Sequence, residues 1–339
     1  MPDSVMEEVV SELRSNGERY YPQHGTPRNV RIVGHTPKPD HYIYDLVVDF
    51  NEGIERVAAK VYRQNKCGPR GASGMAQLEH GNLTRVYNAF QKKKQAGVPK
   101  PLGDFTRLGT VVAEKFNGLP LQSLIMKAAL LPGYADAGML KFASRKAGEW
   151  LRSYHRAMAD GIAPLDTSAL LTELQDLCEK CRSEGFDDAA IRNIMAGSRS
   201  ALMRSKRALP CSSVLNDFTP LNVIVGEQGV GVVDYARMTQ NGPSHYDVAM
   251  FLAAVEALEK YPFCNRRITS EVQREFTSAY GIHPAEEGVL RVLKVKSLLS
   301  LFAQGRRGKQ SAVRKKVMWA TVMKRFVQHA AERSLAPAA

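Results

Sequence analysis

The chain has 339 residues, of which 44% are hydrophobic and 24% are charged, and it carries a formal net charge of +13. These fractions are ordinary for a folded soluble protein and exclude a chain dominated by disorder. The sequence has no apolar run of about 18 residues, and its N-terminus lacks the basic start and apolar core of a secretory signal. Five scattered cysteines suit a reducing environment, so we expect a cytoplasmic protein. The positive charge predicts an anionic partner, such as a nucleotide, a phosphorylated sugar, a nucleic acid or an acidic membrane surface.

The first third of the chain predicts an N-terminal helix that starts with a capping box at Ser4 and Glu7 and ends at Gly17, followed by strands and one further helix, and the remainder predicts mainly helices. Asn51, Glu52 and Gly53 form a turn pattern that predicts a hairpin between two of the strands. The second helix of this first third breaks at Gly97, Val98 and Pro99. The predicted strands are 29–33, 41–50, 54–62, 107–115, 223–225 and 230–233, and the other predicted helices are 76–94, 141–158, 170–181, 189–207 and 246 to about 333.

The segment 214–238 contains the residue types that phosphoryl transfer requires. Asp217 is followed by Asn222 five residues later and, after a short Gly-containing hairpin, by Asp234. Phosphoryl transfer needs a positioned acceptor hydroxyl, metal ions that bridge the phosphates, and positive charge on the nucleotide. Two carboxylates and one amide oxygen are suitable groups, because Mg²⁺ prefers oxygen ligands and takes few of them from the protein. Asp217 and Asn222 could equally cap a turn, and it is their combination with Asp234 that favours catalysis.

This segment resembles the catalytic loop and metal-binding strand of aminoglycoside-phosphotransferase-like kinases. The wider set includes choline kinases, homoserine kinases and lipopolysaccharide sugar kinases, all with a protein-kinase-like fold. The resemblance implies that Asp217 is the catalytic base and that Asn222 and Asp234 are metal ligands.

Further segments occur in the order found in that family, from about residue 28 to 255. The strand containing Lys60 (57–62, Val-Ala-Ala-Lys-Val-Tyr) resembles the one whose lysine contacts the α- and β-phosphates. The resemblance implies that Glu79 orients Lys60, because residues 80–103 contain no other acidic residue. Residues 112–118 resemble the hinge, where the backbone of Glu114, Lys115 and Phe116 would read adenine.

Two other residues are interpreted as structural. His155, at the end of the helix 141–158, is expected to be a hydrogen-bonded core residue. Asp247 is expected to cap a helix or brace a loop.

The sequence departs from the family pattern at two places. Leu215 and Asn216 stand where the family usually has His and Gly. Between the first two strands, a segment with two prolines (34–40) replaces a glycine-rich phosphate loop, and proline has no N–H to donate. Either ATP is held more loosely on that side, or Lys38 and His35 substitute for the loop.

The C-terminal part of the chain has a strongly basic segment. Residues 291–325 contain eleven Lys or Arg and no Asp or Glu, interleaved with large apolar side chains. One interpretation is a packed helix pair with a solvated basic face. The other is contact with an acidic membrane surface or a phosphorylated glycan. No recognised nucleic-acid-binding motif is present, so nucleic acid is not the expected partner.

These observations predict an α+β chain with a bilobal protein-kinase-like fold. The N-lobe would be a small, antiparallel β-rich domain at 1–113, followed by a hinge at 114–120 and a larger, mostly helical C-lobe at 121–339. The predicted function is ATP- and Mg²⁺-dependent phosphorylation of a hydroxyl on a small molecule or sugar, including glycolipid or polysaccharide precursors. The alternatives are a nucleotide-binding pseudokinase that acts as a scaffold and a RIO-like protein kinase. The location is cytoplasmic, with peripheral association at the inner membrane face left open, and the oligomeric state is not predicted.

Overall fold

The computed structural model describes residues 2–131, 137–205, 208–227, 229–261, 263–306 and 322–335. The helices are α1 (Pro2–Tyr20), α2 (Gly71–Lys92), α3 (Leu121–Leu130), α4 (Ala137–Ala157), α5 (Thr167–Arg182), α6 (Asp188–Met203), α7 (His245–Glu256), α8 (Arg266–Tyr280), α9 (Glu287–Arg306) and α10 (Lys324–Leu335). The strands are β1 (Asn29–Pro37), β2 (His41–Asp49), β3 (Ile54–Tyr62), β4 (Thr110–Glu114), β5 (Leu119–Pro120), β6 (Ala159–Pro164), β7 (Ala208–Val214), β8 (Val223–Gly226), β9 (Gly229–Val232) and β10 (Thr239–Pro243).

The chain divides into two compact units. The first comprises Met1–Leu119 together with Ile224–Met238, and the second comprises Pro120–Val223 together with Thr239–Ala339. The predicted α+β class, with antiparallel strands concentrated in the N-terminal part, is confirmed. The first unit also takes in the segment that contains Asp234, which the division predicted from the sequence had assigned to the C-lobe.

The first unit is built on an antiparallel sheet with the strand order β1-β2-β3-β4. Because side chains alternate along a strand, the register assigns them to two faces. Leu46 lies opposite Val57, and Ile43 lies opposite Lys60. We call one face the α1 face, which carries Tyr44, Leu46, Val48, Val57, Ala59, Val61 and Val112. The other is the Lys60 face, which carries His41, Ile43, Asp45, Ala58, Lys60, Tyr62, Val111 and Ala113.

Helix α1 covers the α1 face. Met6, Val9 and Leu13 recur at helical spacing and belong to the same buried cluster as Leu46 and Val57, all of them at most 2% exposed. Burial of side chains of this size contributes about 1.5–3 kcal/mol each, so the α1 face supplies much of the hydrophobic stabilisation of the unit.

The second unit is mainly helical but contains a small antiparallel sheet with the order β10-β7-β6. The rings of Trp150, Phe218, Phe251 and Phe276 stack or tilt against one another at centroid distances of 3.9–6.1 Å. Phe218, the residue after Asp217, is fully buried in this cluster. The aromatic cluster therefore anchors the loop that follows β7.

Two sequence expectations change in detail. Strand β1 continues to Pro37, so the connection to β2 consists only of Lys38, Pro39 and Asp40. The predicted strand 107–115 begins at Thr110, because 106–108 form a short 3-10 turn. Much of the basic segment, from 307 to 321, lies outside the described residues. Within the described residues, no helix has both the length and the apolar character needed to cross a bilayer.

Candidate active site

Lys60 and two predicted partners meet in the first unit. Lys60 Nζ lies 3.1 Å from Glu79 Oε1 on α2 and 3.1 Å from Asp234 Oδ1, just after β9. The lysine side chain is 14% exposed and Glu79 is 6% exposed, so this ion pair is largely withdrawn from water. The alternation of β3 places Lys60 on the face opposite the hydrophobic core, which is why its charge can reach the two carboxylates.

The three charges influence one another's protonation. Burial by itself lowers the pKa of Lys60, but Glu79 and Asp234 outweigh it and raise that pKa above its ordinary value. Burial raises the pKa of Asp234, yet the ammonium of Lys60 outweighs it, so that pKa is below its ordinary value. Lys60 is therefore cationic and Asp234 anionic at neutral pH. Burial raises the pKa of Glu79 above its ordinary value, although the Lys60 ammonium opposes that effect.

Two buried side chains that the sequence reasoning missed support this cluster. Tyr62 Oη donates a hydrogen bond to Glu79 Oε2 at 2.5 Å, and the Lys60 ammonium lies 5.2 Å from the Tyr62 ring centroid. Asn82 Nδ2 donates to the backbone oxygen of Tyr235 at 2.9 Å. Periodicity could have found both, because Tyr62 is two residues after Lys60 on a strand and Asn82 is three residues after Glu79 on a helix.

The catalytic loop predicted from the sequence lies in the second unit, where Asp247 accepts hydrogen bonds from its backbone. The backbone N–H groups of Leu215 and Asn216 donate to the two carboxylate oxygens of Asp247, each at 2.8 Å. Asp247 is fully buried and also contacts His155 Nε2 at 3.1 Å, while Tyr280 Oη lies 2.9 Å from His155 Nδ1. In this geometry His155 is a buried, hydrogen-bonded residue and Asp247 braces the loop.

These hydrogen bonds account for the first departure from the family pattern, at Leu215 and Asn216. Asp247 holds the main chain at 215 and 216 through its N–H groups, so these bonds do not depend on the Leu215 side chain, which is 1% exposed. Asn216 has a φ of 59°, a left-handed conformation that Gly adopts freely and that Asn tolerates better than other residues. The Asn216 amide also donates to Thr239 Oγ1 at 2.8 Å, which ties the loop to β10.

Asn222 is hydrogen-bonded within its own loop. Its Nδ2 donates to the backbone oxygen of Asp217 at 2.9 Å, which leaves the amide oxygen as the end that can face a metal ion. Asp217 and Asn222 in the second unit and Asp234 in the first each carry a hard oxygen donor of the kind that Mg²⁺ prefers. Among the described residues, no group of three or more His, Cys, Asp and Glu side chains is placed to hold a metal ion.

The predicted hinge residues use their backbone groups unequally. The N–H of Glu114 donates to Lys100 O, and that of Lys115 donates to Arg56 O, both at 2.9 Å. The Lys115 side chain returns to the Lys60 face and pairs with Asp45 at 2.6 Å. The Phe116 ring packs so closely on β9 that a β-carbon at Gly231 would lie 2.4 Å from it. Of the three amides, that of Phe116 remains the candidate donor to a base.

One alternative for the missing phosphate loop is wrong. His35 lies opposite Tyr44 in the register, and their rings stack at 5.7 Å, so His35 is on the α1 face, away from Lys60. His41, which the sequence analysis did not select, is on the Lys60 face, with its ring 6.0 Å from that of Tyr62. Lys38 is exposed in the β1–β2 turn.

The structure thus brings Lys60, Glu79 and Asp234 together in the first unit, and Asp217 and Asn222 together in the second.

Comparison with solved structures identifies the fold. A glucosamine kinase superposes with a TM-score of 0.57 at 14% identity, covering 87% of this chain and 91% of that one. Spectinomycin phosphotransferase in complex with ADP and spectinomycin gives 0.52 at 12% identity, covering 96% and 98%. Amicoumacin kinase with AMP-PNP and Ca²⁺ gives 0.53 at 12% identity, covering 95% and 96%.

No protein-family model and no curated protein sequence matches the chain. At identities this low the structural likeness establishes the fold alone. The chain has the protein-kinase-like fold found in small-molecule phosphotransferases, as the resemblance implied.

Proposed function

We propose that this protein is an ATP- and Mg²⁺-dependent phosphotransferase that acts on a hydroxyl group of a small molecule. The observation that carries the proposal is the buried Lys60 ammonium, 3.1 Å from both Glu79 and Asp234, in a chain with the protein-kinase-like fold. An unpaired lysine would be costly to bury, and the pair formed with Glu79 leaves the ammonium held in one position. A fixed positive charge of this kind suits the phosphates of a nucleotide.

Each residue has a proposed role that its surroundings support. Lys60 neutralises the α- and β-phosphates, and Glu79 orients it. Asp234 and the amide oxygen of Asn222 are the metal ligands, and bound Mg²⁺ would supply neutralisation of the charge on the phosphates. Asp217 orients the acceptor hydroxyl and accepts its proton. The backbone at Glu114, Lys115 and Phe116 contacts adenine, with the Phe116 amide as donor.

The acceptor is proposed to be a small, hydroxyl-rich molecule such as a sugar or amino sugar. The three related structures carry the names of kinases for glucosamine, spectinomycin and amicoumacin, which supports this class. A glycolipid or polysaccharide precursor is the more specific proposal, based on the net charge of +13 and the basic segment. Association with an acidic membrane surface through that segment is proposed on the same ground.

The test compares Asp217→Asn with wild type and with Asp176→Asn, a control at an exposed position of α5. We expect Mg²⁺-dependent ADP formation in the presence of a panel of amino sugars, and a loss of about 10²-fold or more in kcat for Asp217→Asn only. The Asp217→Asn variant should still bind ATP and Mg²⁺, as measured by the shift of its thermal unfolding temperature. Turnover equal in all three proteins would contradict the assigned role of Asp217.

A scaffold without catalysis is the second candidate, and the β1–β2 turn favours it. The turn has only three residues, one of them proline, and the Lys38 N–H already donates to His41 O. Few amides therefore remain there for phosphate. Metal-dependent nucleotide binding by wild type, without turnover on any acceptor, would support the scaffold. Any residual nucleotide hydrolysis should then be the same in Asp217→Asn as in wild type.

A further inference from the structure

We propose that Asn82 is a positioning residue that holds Asp234 in its metal-binding conformation, an inference that rests on the proposed function. Asn82 is 6% exposed and its Nδ2 donates to the backbone oxygen of Tyr235, the residue after Asp234, at 2.9 Å. This bond joins α2 to the segment after β9 across 153 positions of the chain. Asn82 therefore acts on the backbone next to Asp234.

The backbone of Asp234 needs such a restraint. Its φ is 70°, a left-handed conformation that costs a residue other than glycine about 1–3 kcal/mol and persists only when its surroundings enforce it. The Asp234 Oδ1 atom accepts the N–H of Ala236 at 3.3 Å, a local bond that orients the side chain relative to its own turn. The bond from Asn82 fixes that turn relative to the rest of the unit.

Helix α2 thereby positions two parts of the cluster from one face. Glu79 and Asn82 are three residues apart, so they project from the same side of the helix. Glu79 holds the ammonium of Lys60, and Asn82 holds the peptide next to Asp234. Loss of the Asn82 amide should therefore displace Asp234 while the Lys60–Glu79 pair remains, and its effect should fall on metal binding in particular.

The experiment titrates Mg²⁺ into the full-length protein saturated with ADP, with calorimetry and fluorescence as readouts that do not depend on turnover. Asn82→Ala is compared with Asn88→Ala, the same chemical change at an exposed position of α2. We expect the half-saturating Mg²⁺ concentration to rise about fivefold for Asn82→Ala, the equivalent of one ordinary hydrogen bond, and not for Asn88→Ala. Affinity for ADP without metal should stay at the wild-type value.

Equal weakening of ADP binding with and without Mg²⁺ would overturn the proposal, because it would show a general structural role. If Asn82→Ala does not fold, Asn82→Ser, which is small and polar but too short to reach Tyr235 O, takes its place. If wild type itself binds no nucleotide, the proposed function is contradicted. The coupling between Asn82 and Asp234 is then tested on the free protein by its stability. A double-mutant cycle of Asn82→Ala with Asp234→Ala in urea should give non-additive unfolding midpoints, and additive midpoints would overturn it.

Discussion

The two faces of the four-stranded sheet are built from the same strands, but one buries apolar side chains and the other buries polar and charged ones. On the α1 face, Leu46 and Val57 are fully buried among apolar neighbours. On the Lys60 face, Lys60, Tyr62 and Glu79 of α2 form a buried network in which each polar group depends on another. Removing one apolar side chain leaves a cavity, whereas removing one member of the network leaves a buried charge without its partner.

The comparison teaches that burial alone does not distinguish stability from function in this unit. Leu46 and Glu79 are similarly inaccessible, yet hydrophobic side chains stabilise by being buried and charged ones are destabilising unless paired. A buried ion pair adds little net stability compared with apolar residues of similar size, so its presence opposite a well-packed core favours a functional role.

The largest effect is expected for Lys60→Ala. Phosphotransfer should fall by about 10²-fold or more, because the charge that faces the nucleotide is lost. Unfolding in urea should also show a loss of about 3–5 kcal/mol, because the buried Glu79 carboxylate and the partly exposed Asp234 carboxylate lose their counter-ion. That loss should shrink at pH 4, where Glu79 and Asp234, no longer paired with an ammonium, take up protons. A variant as stable as wild type at pH 7 would contradict the buried geometry of the cluster.

Leu46→Ala, on the α1 face, should lose about 2–5 kcal/mol of unfolding free energy through the cavity left in the core. Activity per folded molecule should equal that of wild type, and the loss should be the same at pH 7 and pH 4, since no titrating group is involved. A fall in kcat/KM, measured where the variant is fully folded, would show that the two faces are not independent.

Tyr62→Phe removes only the hydroxyl that donates to Glu79 Oε2. We expect a loss of about 1–3 kcal/mol in urea unfolding, because the buried carboxylate keeps Lys60 but loses its second partner. The matched control is Tyr42→Phe on the α1 face, whose hydroxyl has no hydrogen-bond partner among the described residues. Equal losses in both variants would assign the effect to packing of the rings.

The smallest effect is expected in the acid limb of wild-type stability. The pKa of Asp234 lies below its ordinary value of 3.8, since Lys60 outweighs the effect of burial. Its contribution to stability is therefore present above pH 3.8 and is lost as the pH falls through the lowered pKa. Urea unfolding between pH 5 and 2 should show a shallower decline for Asp234→Asn than for wild type. Identical slopes would mean that Asp234 contributes nothing through this ion pair.

The sequence predicted the elements whose pattern is local. The strands of the first sheet follow from alternation and from the Asn51–Gly53 turn, and the spacing of Asp217, Asn222 and Asp234 was informative because those residues lie within one short segment. The assignment of Glu79 rested on the absence of other acidic residues nearby, and the structure places its carboxylate 3.1 Å from Lys60.

What the sequence did not predict depends on contacts between distant segments. Strands β6, β7 and β10 were missed. In β10, Asn241, Gly242 and Pro243 are residues typical of turns, and they form a strand only because β10 pairs with β7. Asn82 was missed because its partner is a backbone oxygen 153 positions away, which no local pattern indicates. The β1 bulge next to Gly34 shifts the register and decides that His35 faces away from Lys60.

The pairing of Lys60 with a residue 174 positions later has a consequence for synthesis of the protein. A nascent chain that has been synthesised up to about residue 220 contains the four-stranded sheet, but it still lacks the segment Ile224–Met238 that completes the first unit. At typical elongation rates of about 5–20 residues per second, the residues between the end of β4 and Asp234 take roughly 6–24 seconds to translate. During this time Lys60 and Glu79 can pair, but the carboxylate of Asp234 has not yet been added. The growing polypeptide therefore acquires the second carboxylate partner of Lys60 only after helices α3 to α6 have been translated.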